Sequence, residues 1–265
     1  MTGFLILGVT LFLSLAMMLA WEIQRRTRNA GWVDVVWSFA LGIAGVAYAL
    51  APVQGQEWPS ARQLIVAVLA GAWSLRLGLH IAARTRHGKE DSRYARFREE
   101  WGEGFDRRMF GFLQIQAAAA AFLALAMLLA ARNPAPLGWQ DGLAVLVLAI
   151  AVAGEGLADE QMRRFRADPA NKGKVNDKGL WGLSRHPNYF FEWLGWFAWP
   201  LFAVSALHPW GWLALAQPAF MYWLLVHVSG IPPLEAEMAR SRGAAWDDYC
   251  ARTRPFLPFP KVRSR

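Results

Sequence analysis

Seven stretches, each close to the ~20 apolar residues that cross a bilayer as a helix, succeed one another along this chain. They run roughly over Gly3–Trp21, Trp32–Ala51, Leu64–Ala83, Phe112–Ala131, Trp139–Leu157, Tyr189–Leu207 and Trp210–Ser229. A spanning segment has no water to satisfy its backbone, so it must close its own hydrogen bonds as a helix. The pattern predicts an all-α integral membrane protein with seven transmembrane helices in a single domain, residues 1–265. Composition agrees, since 55% of the residues are hydrophobic and 15 are Trp, more than a soluble domain of this length carries. The first stretch has its arginines (Arg25, Arg26, Arg28) behind it rather than ahead, so it reads as a retained anchor, not a signal peptide.

The net charge of +8 is not a nucleic-acid footprint, because the charges lie in blocks between the apolar stretches. One side receives Arg25–Arg28, the Arg84–Arg108 connection, Arg163–Arg185 and the tail from Arg240; the other has only Arg62 and Arg132 near span ends. Seven crossings put every rich block on one face, with the N-terminus outside and the C-terminus cytoplasmic. The Arg84–Arg108 connection, with Tyr94, Phe97 and Trp101 interspersed, reads either as an amphipathic element on the membrane surface or as a solvated basic loop. Ile231-Pro232-Pro233 is expected to break the last span, followed by a surface helix over Leu234–Cys250 interrupted at Gly243. A lone Cys250 excludes an internal disulfide, and no His pair has ligand spacing, so no metal is expected. Most Trp residues fall at span ends, where the amphipathic ring suits the interface; Trp181 instead sits inside a polar block.

Polar residues inside spans face protein rather than lipid. Asp34 and Arg76, on neighbouring spans, suggest a buried structural pair. Chemistry concentrates later. Asp159, Arg163 and Arg166 recur at helical spacing on one face, and Arg suits phosphate because its planar fork donates paired hydrogen bonds. The next loop adds Asn171, Lys172, Lys174, Asn176, Asp177 and Trp181, and Arg185, His186, Asn188, Tyr189 and Glu192 lead into the sixth span. Together these offer cations for phosphates, carboxylates for ribose hydroxyls and amides for a carboxamide. A basic loop for anionic lipid would explain Lys172 and Lys174, but not Asp159, Asn188 and Glu192. With neither G-x-G-x-x-G nor a Walker motif, a dinucleotide would have to bind among the helices. A second group, Gln56-Glu57-Trp58-Pro59-Ser60, holds a carboxyl that could stay protonated if removed from water; by spacing alone it is an exposed turn.

The block from Asp159 to Glu192, D-E-Q-M-R-R-F-R-A-D-P-A-N-K-G-K…N-D-K-G-L-W…S-R-H-P-N-Y-F-F-E, resembles the bacterial membrane branch of the steroid 5α-reductase family. The tail S-G-I-P…G-A-A-W-D-D-Y from Ser229 to Tyr249 is similar too. The resemblance implies a seven-helix enzyme, sited in a bacterial inner membrane with its cofactor site facing the cytoplasm. It would use NADPH to reduce a carbon–carbon double bond conjugated to a ketone, 3-oxo-Δ4-steroid reductase chemistry. It makes Asp159, Arg163, Arg166, Asn188 and Glu192 cofactor contacts, within a cofactor-binding part of about 154–265, and Gln56 with Glu57 the catalytic pair. Two family tyrosines are missing: Ile81 stands where a catalytic Tyr is expected, and Glu235 is the nearest counterpart of a cofactor-contacting Tyr. The expected partners are a small apolar enone, steroid or isoprenoid-like, and membrane lipid, with no nucleic acid; a monomer is consistent with this. Two other classes stay open: an S-adenosylmethionine-dependent methyltransferase of the isoprenylcysteine type, which shares R-H-P-N-Y in part, and a non-catalytic lipid-binding protein.

Overall fold

The computed structural model describes residues 2–53, 55, 58–87 and 90–259, and among these there is no β-strand. The helices are α1 (Thr2–Thr27), α2 (Gly31–Leu50), α3 (Ala61–His87), α4 (Ser92–Trp101), α5 (Phe105–Ala131), α6 (Trp139–Ala167), α7 (Pro187–Gly195), α8 (Ala198–Ala203), α9 (Ala216–Trp223), α10 (Ile231–Arg242) and α11 (Ala244–Arg252). Among the described residues six helical segments are long and apolar enough to cross a membrane, the make-up of an integral membrane protein. Five of them coincide with the first five predicted spans, and the sixth, Pro209–Arg242, contains the predicted seventh.

The predicted span Tyr189–Leu207 is the exception. It is divided into α7 and α8 by a turn at Trp196–Phe197. Pro200 accounts for the division: it has no N–H to donate, and its ring crowds the carbonyl four residues back, that of Trp196. The predicted seventh span is not uniform either. It opens as a 3-10 turn (Pro209–Leu215), continues as α9, and ends in a π-helical stretch (Leu224–Val228) where the Ser229 N–H reaches the Leu224 carbonyl at 2.9 Å. The chain then breaks at Ser229–Gly230, and Pro232 and Pro233 open the next helix rather than end the last one, since a first turn needs no N–H from them. Gly243, at φ 54, ends α10 and starts α11 in a backbone conformation that side chains with a Cβ rarely adopt.

The chain divides into two compact units, Met1–Asp141 with Trp199–Gln217, and Gly142–Ala198 with Pro218–Arg265. In the first, α2 is the most enclosed helix: Leu41, Ala44 and Tyr48 are fully buried. Small residues let neighbours approach it closely, Gly42 lying against Ser74 of α3 and Gly45 against Met127 of α5. Asp34 receives the Arg93 guanidinium at 2.7 Å and the Tyr94 hydroxyl at 2.8 Å, so α4 is tied to the start of α2. The basic connection is thus partly helical, and Asp91 caps α4 by accepting from the Arg93 N–H. At the other end of α3, buried Arg62 donates to both Asp141 carboxylate oxygens and to the carbonyls of Asn133, Ala135 and Pro136. Asn133 in turn donates to the Phe202 carbonyl, and Gln140 to those of Leu201 and Val204.

Candidate functional site

The polar block lies in the second unit. Helix α6 continues to Ala167, nearly three turns beyond its apolar part, and carries buried Glu155 and half-buried Asp159 one turn apart. Arg163 is exposed and clasps Glu160 through two hydrogen bonds of 2.6 and 2.8 Å, with Arg164 on the same carboxylate. Asp168 caps the turn Pro169–Asn171, and the Asn171 side chain folds back onto the Phe165 carbonyl at 3.0 Å. Lys172 and Lys174 stand in solvent, whereas Asn176 is buried and accepts from the Lys178 N–H. The return to α6 needs Gly179, at φ 61: a Cβ there would lie 2.6 Å from Gln161 Oε1, the atom that accepts the Leu180 N–H. Trp181 closes this turn by donating its indole N–H to the Ala158 carbonyl at 3.0 Å.

Ser184, Arg185 and His186 are then tied to the C-terminal tail. The Arg185 N–H reaches the Arg254 carbonyl at 2.8 Å, and Ser184 donates to the Phe256 carbonyl at 2.8 Å. The Arg185 guanidinium grips both oxygens of Glu235, at 2.8 and 3.1 Å, and spends its remaining nitrogen on the Thr253 carbonyl. His186 Nε2 lies 3.1 Å from the same carboxylate. Burial pushes the imidazole below its ordinary pKa and outweighs the raising effect of Glu235, so His186 is held neutral. Tyr249 of α11 donates to the Trp181 carbonyl, and burial pushes its phenol well up. Arg252 pairs with Asp177 at 2.9 Å.

Pro187 starts α7, fixing φ at the position where a missing N–H costs nothing. Within its first two turns come Asn188, Tyr189 and, one turn after Asn188, Glu192. Tyr189 stacks on the His186 ring, with centroids 5.7 Å apart and planes 11° from parallel. Glu192 is 9% exposed and accepts the Trp196 indole N–H at 2.9 Å. Among the described residues the half-buried Asn188 amide makes no hydrogen bond. Phe191 packs into the gap left by Gly154 on α6, so these first turns are seated directly on the helix bearing Glu155 and Asp159.

Arg185, His186 and Glu235 therefore come together as one cluster, already saturated by its own members. Asn171 and Trp181 serve the loop itself. Lys172 and Lys174 stay exposed, Arg163 is exposed on the Glu160 carboxylate, and among the described residues the Asn188 amide makes no hydrogen bond. Gln56 and Glu57, the expected catalytic pair, lie outside the described residues. Sequence reasoning gave no role to Trp246 and Tyr249, both buried. The available signal was two aromatic residues three apart on an otherwise charged helix, the spacing of one buried face.

Residues 20–253 match the family described as a protein of unknown function, DUF1295, and the chain belongs to that family. A relative is an uncharacterized protein of Schizosaccharomyces pombe, C594.04c, 28% identical over 216 residues. That match covers 70% of this chain and 61% of the relative, so the chain spans about three fifths of that protein's length. No solved structure matches.

Proposed function

From membership of this family and the make-up of the α6–α7 site, we propose that the protein is a membrane reductase. It uses NADPH to reduce a carbon–carbon double bond conjugated to a ketone in an apolar molecule, as steroid 5α-reductases do. The observation that carries the reading is the pairing of a half-buried, uncommitted Asn188 amide with the buried Glu192 carboxylate on the first two turns of α7. An amide without a partner is costly there unless a polar ligand meets it, and Glu192, which accepts the Trp196 indole N–H, stands one turn away. The donor set fits a dinucleotide: an amide and a carboxylate for a carboxamide, Asp159 for ribose hydroxyls, and Arg163, Arg166 and the lysines of the following loop for phosphates. When bound, NADPH supplies the hydride. The chain's own task is then to orient the nicotinamide through Asn188 and Glu192, to exclude water with the apolar faces of α6 and α7, and to hold a proton near the developing enolate oxygen. Glu57, oriented by Gln56, is the residue proposed for that proton.

The reading includes seven crossings with the C-terminus cytoplasmic, α7 and α8 together making the sixth. Its test is the response of purified protein to nucleotides. NADPH should raise the melting temperature, S-adenosylmethionine should not, and Asn188→Ala or Glu192→Ala should weaken the NADPH response about tenfold or more. Glu57→Gln should lower enone-dependent NADPH consumption while leaving the thermal response to NADPH intact. Stabilisation by S-adenosylmethionine alone would replace the reductase with a methyltransferase, and no response to either would remove the enzyme reading.

A further inference from the structure

The first unit carries a different polar feature, independent of the reductase reading. Where α1 ends, a cavity of about 660 Å³ is lined by four arginines (Arg25, Arg26, Arg28 and Arg98) against two carboxylates, Glu22 and Asp106. The carboxylates are already engaged: Glu22 by Arg26 at 2.7 Å and Arg25 at 3.6 Å, Asp106 by Arg25 at 3.4 Å. Arg98 is held by Glu90 at 3.0 Å. Arg28 makes no ion pair among the described residues, and it is held at φ 52, a backbone conformation that disfavours any residue but glycine. Gln24, on the lining, is 1% exposed, yet neither its amide nitrogen nor its oxygen meets a partner among the described residues. A buried amide left wholly unsatisfied is rare, and it asks for a ligand.

Surplus positive charge with a buried donor beside it selects an anion that also accepts hydrogen bonds, namely a phosphate. The surroundings select its source. Trp21, one turn before Arg25, bonds to the Asp106 carbonyl at 2.9 Å, and the Arg25 guanidinium lies 4.6 Å above its ring; such aromatics mark the depth of lipid head groups. Leu7, Leu11, Leu15 and Leu19, spaced by four, form an exposed apolar ridge along α1 that leads toward the arginines. An acyl chain on that ridge would bring its own phosphate to the cavity. We propose that this cavity binds the head group of an anionic phospholipid, with Arg28 and the Gln24 amide as its specific ligands and the α1 leucine ridge as the track of its acyl chain.

The test uses full-length protein in neutral detergent, titrated with phosphatidylglycerol or phosphatidylcholine in mixed micelles, with thermal stability as the readout. Phosphatidylglycerol should stabilise the parent saturably and phosphatidylcholine should not. Arg28→Gly suits the left-handed backbone and so should fold, and Gln24→Leu removes an unsatisfied amide at little change of volume. Each should weaken the phosphatidylglycerol response about tenfold, the worth of one charge-assisted hydrogen bond. Equal stabilisation by both lipids, or parental affinity in either variant, would overturn the proposal. Displacement of the bound lipid by inorganic phosphate or by NADPH would also overturn it, by assigning the cavity to a soluble phosphate. None of these readouts measures NADPH consumption, so the outcome stands apart from the reductase reading.

Discussion

Truncating Glu235 to alanine should destabilise the second unit well beyond what a surface ion pair is worth. Its carboxylate holds Arg185 through two hydrogen bonds of 2.8 and 3.1 Å and lies 3.1 Å from His186 Nε2. The side chains of Arg185 and His186 are 10% and 6% exposed, and that of Glu235 25%. Breaking a fully buried pair costs about 3–5 kcal/mol, because one charge is left without a partner, and an exposed pair under about 1 kcal/mol. The quarter-exposed carboxylate lies between these limits. Water entering the vacated space can reach part of the guanidinium, and the Thr253 carbonyl still accepts from it. The expected loss is about 2–3 kcal/mol, a fall on the order of 5–10 °C in melting temperature. The assay is thermal unfolding in detergent, run beside Arg185→Met and the double variant Arg185→Met/Glu235→Leu. The double variant should lose less than Glu235→Ala alone, since no buried charge is orphaned. Parental stability of Glu235→Ala would refute the reasoning and return Glu235 to the role of a ligand contact without a structural duty.

The same logic applies at Arg62, whose nitrogens all have acceptors. Asp141→Ala should cost about 3–5 kcal/mol in thermal or denaturant unfolding, and Arg62→Met/Asp141→Leu clearly less. His186 makes stability depend on pH in a definite direction. The unfolded chain takes up the imidazole proton near its ordinary pKa of about 6.5, while the folded one resists until lower pH. Its contribution is therefore full above pH ~6.5 and lost as pH falls through the window below that value. Melting temperatures at pH 7.5 and 5.5 should show a drop that is smaller in His186→Asn; an equal drop in both would count against it.

The apolar runs made the long helices legible, because a membrane span is written in local composition and needs no partner to be recognised. What stayed hidden depended on single residues acting at a distance. Pro200 divides a stretch whose hydropathy reads as one span, and the π-helical turn before Gly230 leaves no mark in composition. The partners of charges were the least legible. Asp34, expected to meet Arg76, is reached by Arg93 and Tyr94 from the basic connection, 59 and 60 residues away. Arg185 and His186 read as ligand contacts because they are polar beside an apolar span, and Glu235 as the counterpart of a family tyrosine. That pattern cannot separate a residue waiting for a ligand from one satisfied by the far end of the chain. Asn188 and Glu192 differ from that cluster in lying four residues apart on one helix, a local relation that the fold preserves.

The number of crossings turns on α7 and α8. Ser184 and Arg185, at the start of the divided stretch, are bonded to residues 235, 253, 254 and 256. Residues 201, 202 and 204, at its end, accept from Gln140 and Asn133, beside the start of α6. On the seven-crossing proposal this divided stretch crosses, bent by its proline. On the same proposal the stretch from Pro209 to Val228 crosses back, returning the chain to the side of Arg185. Cysteine labelling tests this. In a Cys250→Ser background, Leu207→Cys and Ser241→Cys place one thiol each at exposed positions on either side of the last span. In sealed vesicles a membrane-impermeant maleimide should reach Ser241→Cys only from the face that carries the arginine-rich blocks, and Leu207→Cys only from the opposite one. Labelling of both from the arginine-rich face would mean that the last stretch enters and leaves on the same side. Labelling of Ser241→Cys from the other face would leave α7 and α8 as a re-entrant pair and break the charge asymmetry from which the orientation was read.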